Sequence, residues 1–264
     1  MDKIRVSIIN KMEHCSSSLI SNFTKMTFSK KFNGAEGIAN ALTDTSSTTN
    51  AIAQNILRMD HSTILEHQVL TFSIEGFSRA CQLAHNRHRM ASITANSTHY
   101  FDYSTVNNIE DYFVTPIEIM QASQEVQDDY KKSCQASIKS YCDLIQAGVK
   151  CEDARNVLPN SFRSSEIWTV NLRSLKNYLK LRLCGVNVSE NIWVAYLIWK
   201  ELAKVYPDLI SYFGPDCMPN CGGVCKQGKR VENCIFKGFT EQKMREKFAI
   251  LFEKRKAAGF DILA

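Results

Sequence analysis

The sequence contains no long apolar run and no linker-like segment. Its longest apolar stretch runs from Ile192 to Trp199, far short of the roughly 20 residues that a membrane-spanning helix requires. Charged residues stand at the very start, and no apolar segment of a secretory signal follows them. We therefore expect a soluble, cytoplasmic protein with no membrane partner, folded as one domain over residues 1–264.

Acidic residues are missing from two stretches of the chain. No carboxylate occurs between Glu75 and Asp102, and none occurs between Glu166 and Glu190. Both gaps are nevertheless rich in basic residues: Arg79, His85, Arg87, His88, Arg89 and His99 in the first, and Arg173, Lys176, Lys180 and Arg182 in the second. Each stretch alone fits a solvated basic helix face as well as a binding site. Donors that lack acceptors of their own also bind anions, so both stretches are candidate ligand surfaces.

The overall charge is too small for an extended nucleic-acid footprint. The formal net charge is +5, and the contents of 44% hydrophobic and 22% charged residues are ordinary for a globular protein. A modest positive charge suits small anionic ligands better than a long polyanion. We therefore expect a small-molecule partner and no nucleic acid.

The first acid-free stretch is predicted to follow a strand and to contain a helix. Residues from Leu70 to Glu75 alternate between apolar and polar, which is the period of a half-buried strand, and Gly76 is expected to end it. Ser78 is a suitable N-cap for the helix that follows. The Arg87-His88-Arg89 triplet then falls at the far end of that helix, with its side chains about 100° apart.

Periodicity and turn residues predict further elements. The segments are a strand at residues 3–9, a polar loop at Thr43–Asn50, a strand-like segment at 101–116, and helices at Ile117–Ala147, 171–183, Ser189–Tyr206 and Thr240–Ala258. In the helix at 171–183 one face is apolar and is expected to be buried. It consists of Leu172, Leu175, Leu179 and Leu183.

Four of the ten cysteines lie in one Gly/Pro-rich segment: Cys217, Cys221, Cys225 and Cys234. Four thiols so spaced could hold zinc, but the spacing differs from the paired CxxC of common structural sites. Free or redox-sensitive thiols are the alternative. Both interpretations stay open, and no metal is assigned to the chemistry of the protein.

Four sequence blocks, from about His61 to Glu190, carry a resemblance to a known family. They are His61-x-Thr63-x-x-Glu66-His67, the triplet Arg87-His88-Arg89 followed by seven residues and Ser97, Ala154-Arg155-x-x-Leu158-Pro159, and Asn171-x-Arg173-Ser174-Leu175-x-Asn177-x-Leu179-x-Leu181-Arg182. In residue type, spacing and order they resemble the signature segments of the flavin-dependent thymidylate synthases.

The resemblance implies an α/β (α+β) fold with long helices packed on a mixed sheet, and a homotetramer whose active sites are shared between subunits. It implies FAD, NADPH and 5,10-methylenetetrahydrofolate as cofactors, and dUMP as the substrate that is methylated at C5 to dTMP. No cysteine attacks the base in that family. The ten cysteines of this chain would therefore not be needed for catalysis.

The resemblance also gives roles to individual residues, position by position. Those that would hold FAD are Thr63, Glu66, Arg87, His88, Arg89, Asn171, Arg173 and Asn177. Those that would contact the substrates are Ser97, His99, Arg155 and Arg182 on the nucleotide, with His61 and Tyr100 near the nicotinamide or folate face of the flavin. Arg182 would be catalytic, because a guanidinium beside the pyrimidine carbonyl favours the ionised N3 form and makes C5 more nucleophilic.

Three positions on the nucleotide side depart from the family pattern. Ala84 stands where the family has Gln, Ala95 where it has Glu, and His99 where it has Arg. The chain could therefore methylate dUMP, act on another pyrimidine nucleotide such as a cytosine nucleotide or yield a hydroxymethyl product, or bind flavin, nucleotide or nucleic acid without turnover. The presence of Arg155 and Arg182 argues against the third interpretation, because a protein without turnover has no need of them.

Overall fold

The computed structural model describes residues 4–12, 17–30, 34–43, 48–59, 61–105 and 112–234, together with the single positions 240, 242, 243, 246 and 249. The helix predicted for Thr240–Ala258 lies for the most part outside these residues. Within them the chain combines helices with one sheet, so the predicted α/β class is confirmed.

The sheet has four strands in the order β1-β2-β4-β3. The strands are β1 (Arg5–Lys11), β2 (Val69–Ser78), β3 (Ala91–Ala95) and β4 (Arg163–Asn171). Every neighbouring pair is antiparallel, so the sheet is not mixed as predicted. Strand β2 leads into the first acid-free stretch, and strand β4 leads into the second.

Gly76 does not end strand β2 as predicted. It adopts a positive φ of 78°, and the register of the β2–β4 pair shifts between Glu75 and Phe77. Its N–H donates to Ser165 Oγ at 3.1 Å. A bulge absorbs one extra residue without ending the pairing, and glycine accepts the required backbone conformation. The strand therefore continues to Ser78.

Nine α-helices accompany the sheet within the described ranges. They are α1 (Ser17–Thr27), α2 (Gly34–Thr43), α3 (Thr48–Arg58), α4 (Arg79–His85), α5 (Ile117–Met120), α6 (Gln124–Gln146), α7 (Cys151–Ala154), α8 (Leu172–Arg182) and α9 (Ser189–Val205). Short 3-10 turns at Ser62–His67 and Arg155–Val157 connect some of them. Among the helices described, none has the length and apolar character needed to cross a membrane.

The predicted helix limits hold for α8 and α9 within about two residues. The single helix predicted for Ile117–Ala147 is instead divided into α5 and α6. Between them the side-chain amide of Gln127 donates to the carbonyls of Met120 and Ala122, at 3.3 and 3.0 Å, and stabilises a turn.

Two predictions for irregular segments also differ from the structure. The polar loop predicted for Thr43–Asn50 is shorter, because α3 already begins at Thr48. In the described part of residues 101–116 there is a 3-10 turn at Tyr103–Thr105 and a single bridge between Phe113 and Phe162, and no strand.

The main core lies between the inner face of the sheet and helices α8 and α9. Phe72 of β2 and Trp168 of β4 are fully buried, with their ring centroids 5.7 Å apart. The predicted leucine face of α8 is fully buried as well: Leu172, Leu175, Leu179 and Leu183. Because the apolar face of α8 points to the core, its polar face points away from it.

Candidate functional site

A cavity of about 1100 Å³ lies along the polar face of α8. Its other walls are the end of α3, the 3-10 turn at Ser62–His67, residues 87–90 and residues 214–226. The two acid-free stretches, which are far apart in sequence, therefore face the same space. This volume is slightly above the roughly 300–1,000 Å³ found for small-molecule pockets.

Basic side chains dominate the described lining of this cavity. The cations are Arg58, Arg87, Arg89, Arg173, Lys176, Lys180, Arg182 and Lys226, whereas the carboxylates are Glu66 and Asp216. Glu66 pairs with Arg173. The lining retains a large excess of positive charge, which raises the local concentration of anionic ligands.

Residues 214–226 form a compact wall on which Asp216 faces the cavity. The Asp216 carboxylate lies 2.9 Å from Nζ of Lys180 and 3.5 Å from Nζ of Lys226. A Cβ at Gly214 would come within 2.0 Å of Met218 Sδ, so this glycine allows the chain to pack closely. Gly222 adopts a φ of 125°, a conformation that favours glycine.

The triplet Arg87-His88-Arg89 lies in a turn beyond α4, and not on the helix as predicted. Asn86 closes the last turn of α4 by donating its N–H to the Gln82 carbonyl at 2.8 Å, and the N–H of His88 donates to the carbonyl of His85 at 3.1 Å. Because the triplet is not helical, its side chains are not held about 100° apart around a helix axis. All three line the cavity.

The start of α4 is fixed as predicted by Ser78. Its Oγ accepts a hydrogen bond from the N–H of Cys81 at 3.0 Å, which makes it the N-cap. The same Oγ donates to Glu190 Oε2 at 2.6 Å, and the N–H of Ser78 donates to Glu190 Oε1 at 2.7 Å. Helix α4, and the triplet that follows it, is therefore anchored to the first turn of α9.

Asn171 fixes the start of α8 in the same way. Its side-chain oxygen accepts a hydrogen bond from the N–H of Ser174 at 2.8 Å. A capped helix with a buried leucine face presents Arg173, Lys176 and Arg182 to the cavity. The predicted amphipathic helix is thus confirmed, together with the side on which its donors lie.

Arg182 and His88 join the two walls of the cavity directly. Arg182 Nε donates to His88 Nε2 at 3.0 Å, and Arg182 Nη2 donates to the carbonyl of Ala84. Burial, together with the Arg182 charge, lowers the pKa of His88 to about 4. His88 is therefore neutral at pH 7, and because its Nε2 accepts a hydrogen bond, its proton is on Nδ1.

Of the eight residues predicted to hold FAD, Thr63 is exposed and does not line the cavity, whereas its neighbour Ser62 does. The other seven all line it: Glu66, Arg87, His88, Arg89, Asn171, Arg173 and Asn177. The structure therefore brings together seven residues that come from three separate segments of the chain.

Most residues predicted to contact the substrates lie elsewhere. Arg182 lines the cavity, whereas Ser97, His99 and Arg155 do not. His61 is exposed, and Tyr100 is 85% exposed. Within one chain, the predicted nucleotide residues other than Arg182 thus lie outside the cavity.

This second group, which we call the Thr98 cluster, consists of Arg79, Thr98, Arg155, His99 and Glu152. Thr98 Oγ1 accepts from Arg79 Nη2 at 3.1 Å and from Arg155 Nη1 at 3.5 Å. Two guanidinium groups thus converge on one neutral oxygen. His99 Nε2 lies 3.2 Å from Glu152 Oε2, so a carboxylate already stands at the imidazole.

Sequence reasoning assigned no site role to Arg79, Lys180 or Asp216. Arg79 and Lys180 could have been found, because each belongs to an acid-free stretch. Asp216 could not, because it lies in a loop with no periodicity that would show which way its side chain points.

The cysteines do not form a metal site in the part of the chain that the structure describes. No group of three or more His, Cys, Asp or Glu side chains there could hold a metal ion. Cys221 lines the cavity, and burial raises the pKa of its thiol to about 11. Burial also raises the pKa of Cys81. Such groups are thiols at pH 7 and poor nucleophiles.

Comparison with known proteins identifies the family of this chain. Residues 7–208 match the family model described as "Thymidylate synthase complementing protein". A flavin-dependent thymidylate synthase of Pyrococcus abyssi is 36% identical over 203 residues, which cover 75% of this chain and 80% of that protein. Another, from Pyrococcus horikoshii, is 39% identical over 204 residues with the same coverage, 75% and 80%.

The fold is shared with a solved structure. The crystal structure of a UMP/dUMP methylase PolB from Streptomyces cacaoi, bound with 5-Br dUMP, has a TM-score of 0.62 at 21% identity. The similarity covers 81% of this chain and 96% of that one. With three quarters of its length matched in sequence and its fold matched in structure, the chain belongs to the thymidylate synthase complementing protein family.

Proposed function

We propose that this protein methylates C5 of dUMP to give dTMP, using FAD, 5,10-methylenetetrahydrofolate and NADPH. The observation that carries the proposal is the convergence of the two acid-free stretches on one cavity. The names of the relatives as flavin-dependent thymidylate synthases support it.

The cavity fits FAD in size and in charge. FAD carries a pyrophosphate, and Arg87, Arg89 and Arg173 would hold it through charge-assisted hydrogen bonds. Asn171 and Asn177 would supply polar contacts to the remainder. When bound, FAD would supply the reversible hydride chemistry that none of the amino-acid side chains can provide.

Arg182 would act on the pyrimidine. Among its contacts with the described residues, Nε is engaged by His88 and Nη2 by Ala84. These two hydrogen bonds fix the guanidinium plane, so that the remaining Nη1 is oriented and not freely rotating. A fixed guanidinium at the pyrimidine carbonyl stabilises negative charge that develops as C5 becomes nucleophilic.

The nucleotide phosphate would bind at the Thr98 cluster. Arg79 and Arg155 share only a hydroxyl oxygen there, so a phosphate would replace a weak acceptor with a strong one. Because this cluster lies outside the cavity of its own chain, we propose a homotetramer in which one subunit completes the site of another. His61 and Tyr100, both exposed, would contact the folate or nicotinamide.

A second candidate function is action on another pyrimidine nucleotide, such as a cytosine nucleotide, or formation of a hydroxymethyl product. The departures at Ala84, Ala95 and His99 favour it, because they change three side chains on the nucleotide side.

Anaerobic turnover tests the proposal. The protein is loaded with FAD, reduced with NADPH, and mixed with methylenetetrahydrofolate and either dUMP or dCMP, and the nucleotide product is analysed by mass. The expected product from dUMP carries a methyl group in place of a hydrogen and is heavier by one CH2 unit. Turnover of dCMP alone, or a hydroxymethyl product, would establish the second candidate. A protein that binds FAD but converts neither nucleotide would contradict the first candidate and the cytosine form of the second, and one that binds no FAD would contradict both.

A further inference from the structure

Glu166 lies at the centre of a buried chain of polar side chains. It is on the inward face of β4 and its side chain is fully buried. Its Oε2 accepts a hydrogen bond from Gln82 Nε2 at 3.0 Å, and its Oε1 lies 3.1 Å from His85 Nε2. Neither Oε1 nor His85 Nε2 has a hydrogen-bond partner elsewhere in the described residues, so each depends on the other.

One branch of this chain leads to the Thr98 cluster. Gln82 Oε1 accepts from Arg79 Nη1 at 2.9 Å. Arg79 in turn donates to Thr98 Oγ1, the oxygen that it shares with Arg155. The Gln82 amide therefore contacts both the buried Glu166 carboxyl group and the Arg79 guanidinium, and it fixes the position of one relative to the other.

The other branch leads to the cavity. His85 Nδ1 is 3.0 Å from the hydroxyl of Tyr178, which is itself buried. The Tyr178 ring meets the His88 ring edge to face, with centroids 4.8 Å apart. His88 then accepts the hydrogen bond from Arg182. The contact between Tyr178 and His88 is one of packing, so this branch can fix positions but cannot conduct a proton.

Burial disfavours an ion pair between His85 and Glu166. An isolated ion in the core is costly, so burial raises the pKa of Glu166 and lowers that of His85 to about 3. The groups around His85 do not stabilise a positive charge on its ring. The charge of Arg182 lowers the pKa of His85 further, and Cys81 on α4, Tyr178 on α8 and His88 are neutral. The carboxylate of Glu190 on α9 already accepts a hydrogen bond from Ser78. In its protonated form Glu166 donates to His85 Nε2, and His85 Nδ1–H then donates to Tyr178.

We propose that Glu166, in its protonated form, is a positioning residue that holds Arg79 through Gln82, and His88 with Arg182 through His85 and Tyr178. One buried carboxyl group thereby keeps the Thr98 cluster and the cavity in a fixed relative geometry. The proposal rests on the proposed function only in taking these two surfaces as the nucleotide and flavin sites.

The histidine tautomers test this arrangement without any ligand. The chain has six histidines, and ¹⁵N-histidine NMR of the full-length protein at pH 7 distinguishes Nδ1–H from Nε2–H. His85 and His88, assigned by single histidine substitutions, are both expected as the Nδ1–H tautomer. A His85 that carries its proton on Nε2 would place an ionised acid opposite it and overturn the proposal.

Two substitutions test the consequence for binding. Glu166→Gln keeps an oxygen for Gln82 and an N–H for His85, so the dissociation constant of dUMP from the FAD-loaded protein should stay within about threefold of wild type. Glu166→Leu removes both partners and should weaken dUMP by about tenfold or more. Ser164→Ala is the matched control, because Ser164 is buried on the same face of β4 and outside the chain of contacts; it should stay within threefold.

A Glu166→Leu protein that binds dUMP like wild type, or a Glu166→Gln protein that binds as poorly as Glu166→Leu, would overturn the positioning role. If thermal melting shows that Glu166→Leu does not fold, the dUMP affinity of Glu166→Gln and the tautomers of His85 and His88 still test the positioning role. A wild type that binds no FAD would remove the proposed function, whereas the tautomer measurement would stand, since it needs no flavin.

Discussion

Arg182 Nε and His88 Nε2 are joined by a hydrogen bond of 3.0 Å across 94 positions of sequence. The residue proposed to act on the pyrimidine is thus held by a member of the triplet proposed to hold the flavin. Because His88 accepts this bond, its Nδ1–H is the atom left to serve a ligand. The motif that contains His88 and the motif that contains Arg182 are therefore structurally coupled, and a substitution in one should alter the position of side chains in the other.

Flavin binding should depend on both walls of the cavity. The double substitution Arg89→Ala and Arg173→Ala removes one donor from each wall and leaves Glu66 without its partner, so the FAD dissociation constant should rise about 100-fold or more. Flavin fluorescence titration measures it. Lys132→Ala with Lys139→Ala removes the same charge from the exposed side of α6 and should change little; an equal loss there would indicate a general charge effect.

No cysteine should act as the nucleophile. Cys81→Ala and Cys184→Ser should each keep kcat within a few fold, because burial raises the pKa of both thiols and leaves them protonated. Loss of a covalent nucleophile instead costs orders of magnitude. Single-turnover measurements with FAD-loaded variants make the comparison, and a variant that keeps its flavin but loses turnover would contradict the expectation.

Glu152 should oppose the binding of a phosphate at the Thr98 cluster. Its carboxylate stands 3.2 Å from His99 Nε2 and would be close to any phosphate that Arg155 binds. Glu152→Gln should therefore tighten dUMP binding about threefold at low salt, with the gain shrinking as salt screens the charge. Calorimetric titration at two salt concentrations measures this. Asp143→Asn on the exposed side of α6 is the control, and an equal gain in that variant would assign the effect to net charge alone.

Stability should depend on pH in a way that reveals the proton on Glu166. The pKa values of His85 and His88 are lowered to about 3 and about 4, so below about pH 6.5 the unfolded chain binds protons that the native one does not, and acid destabilises the fold. Glu166 acts in the opposite direction, because its raised pKa lets the native state keep a proton that the unfolded chain releases above about pH 4.5.

Glu166→Gln removes that opposing effect. Above about pH 4.5, the free energy of unfolding should then rise with pH more steeply than in wild type, because the variant has no carboxyl group whose raised native pKa opposes the rise. Urea unfolding at several pH values compares the two proteins, and the other titrating groups cancel in the difference. Parallel lines for wild type and variant would mean that Glu166 is already ionised in the native state.

Helix α8 shows what the sequence could predict. Its N-cap, its leucine face and its donors are local features, since all follow from residues within one helix and its first turn. Strand β4 shows the opposite, because its inward positions include Ser164 and Glu166 beside Trp168 and Val170. A buried acid breaks the apolar alternation, and the partner that makes it tolerable, Gln82, lies 84 positions away. No local pattern reveals such a strand.

The position of the nucleotide residues could not be predicted from the sequence either, because it also depends on contacts between distant segments. The two sequence blocks near Ser97, His99 and Arg155 could be recognised, but whether these residues share a cavity with Arg182 depends on the path of the chain after β3. The structure places them outside it. The end of α4 at His85 was missed although Asn86, its C-cap, is a residue type that commonly ends helices.

The wall formed by residues 214–226 has a consequence for inhibitor design. The family model matches residues 7–208, so Asp216 and Lys226 line the cavity from beyond the matched region. A compound that contacts only Arg87 and Arg173 would use surface that the signature motifs supply. Extending it toward Asp216 with a cationic group would add a contact from this wall, in competition with Lys180 and Lys226 for the same carboxylate.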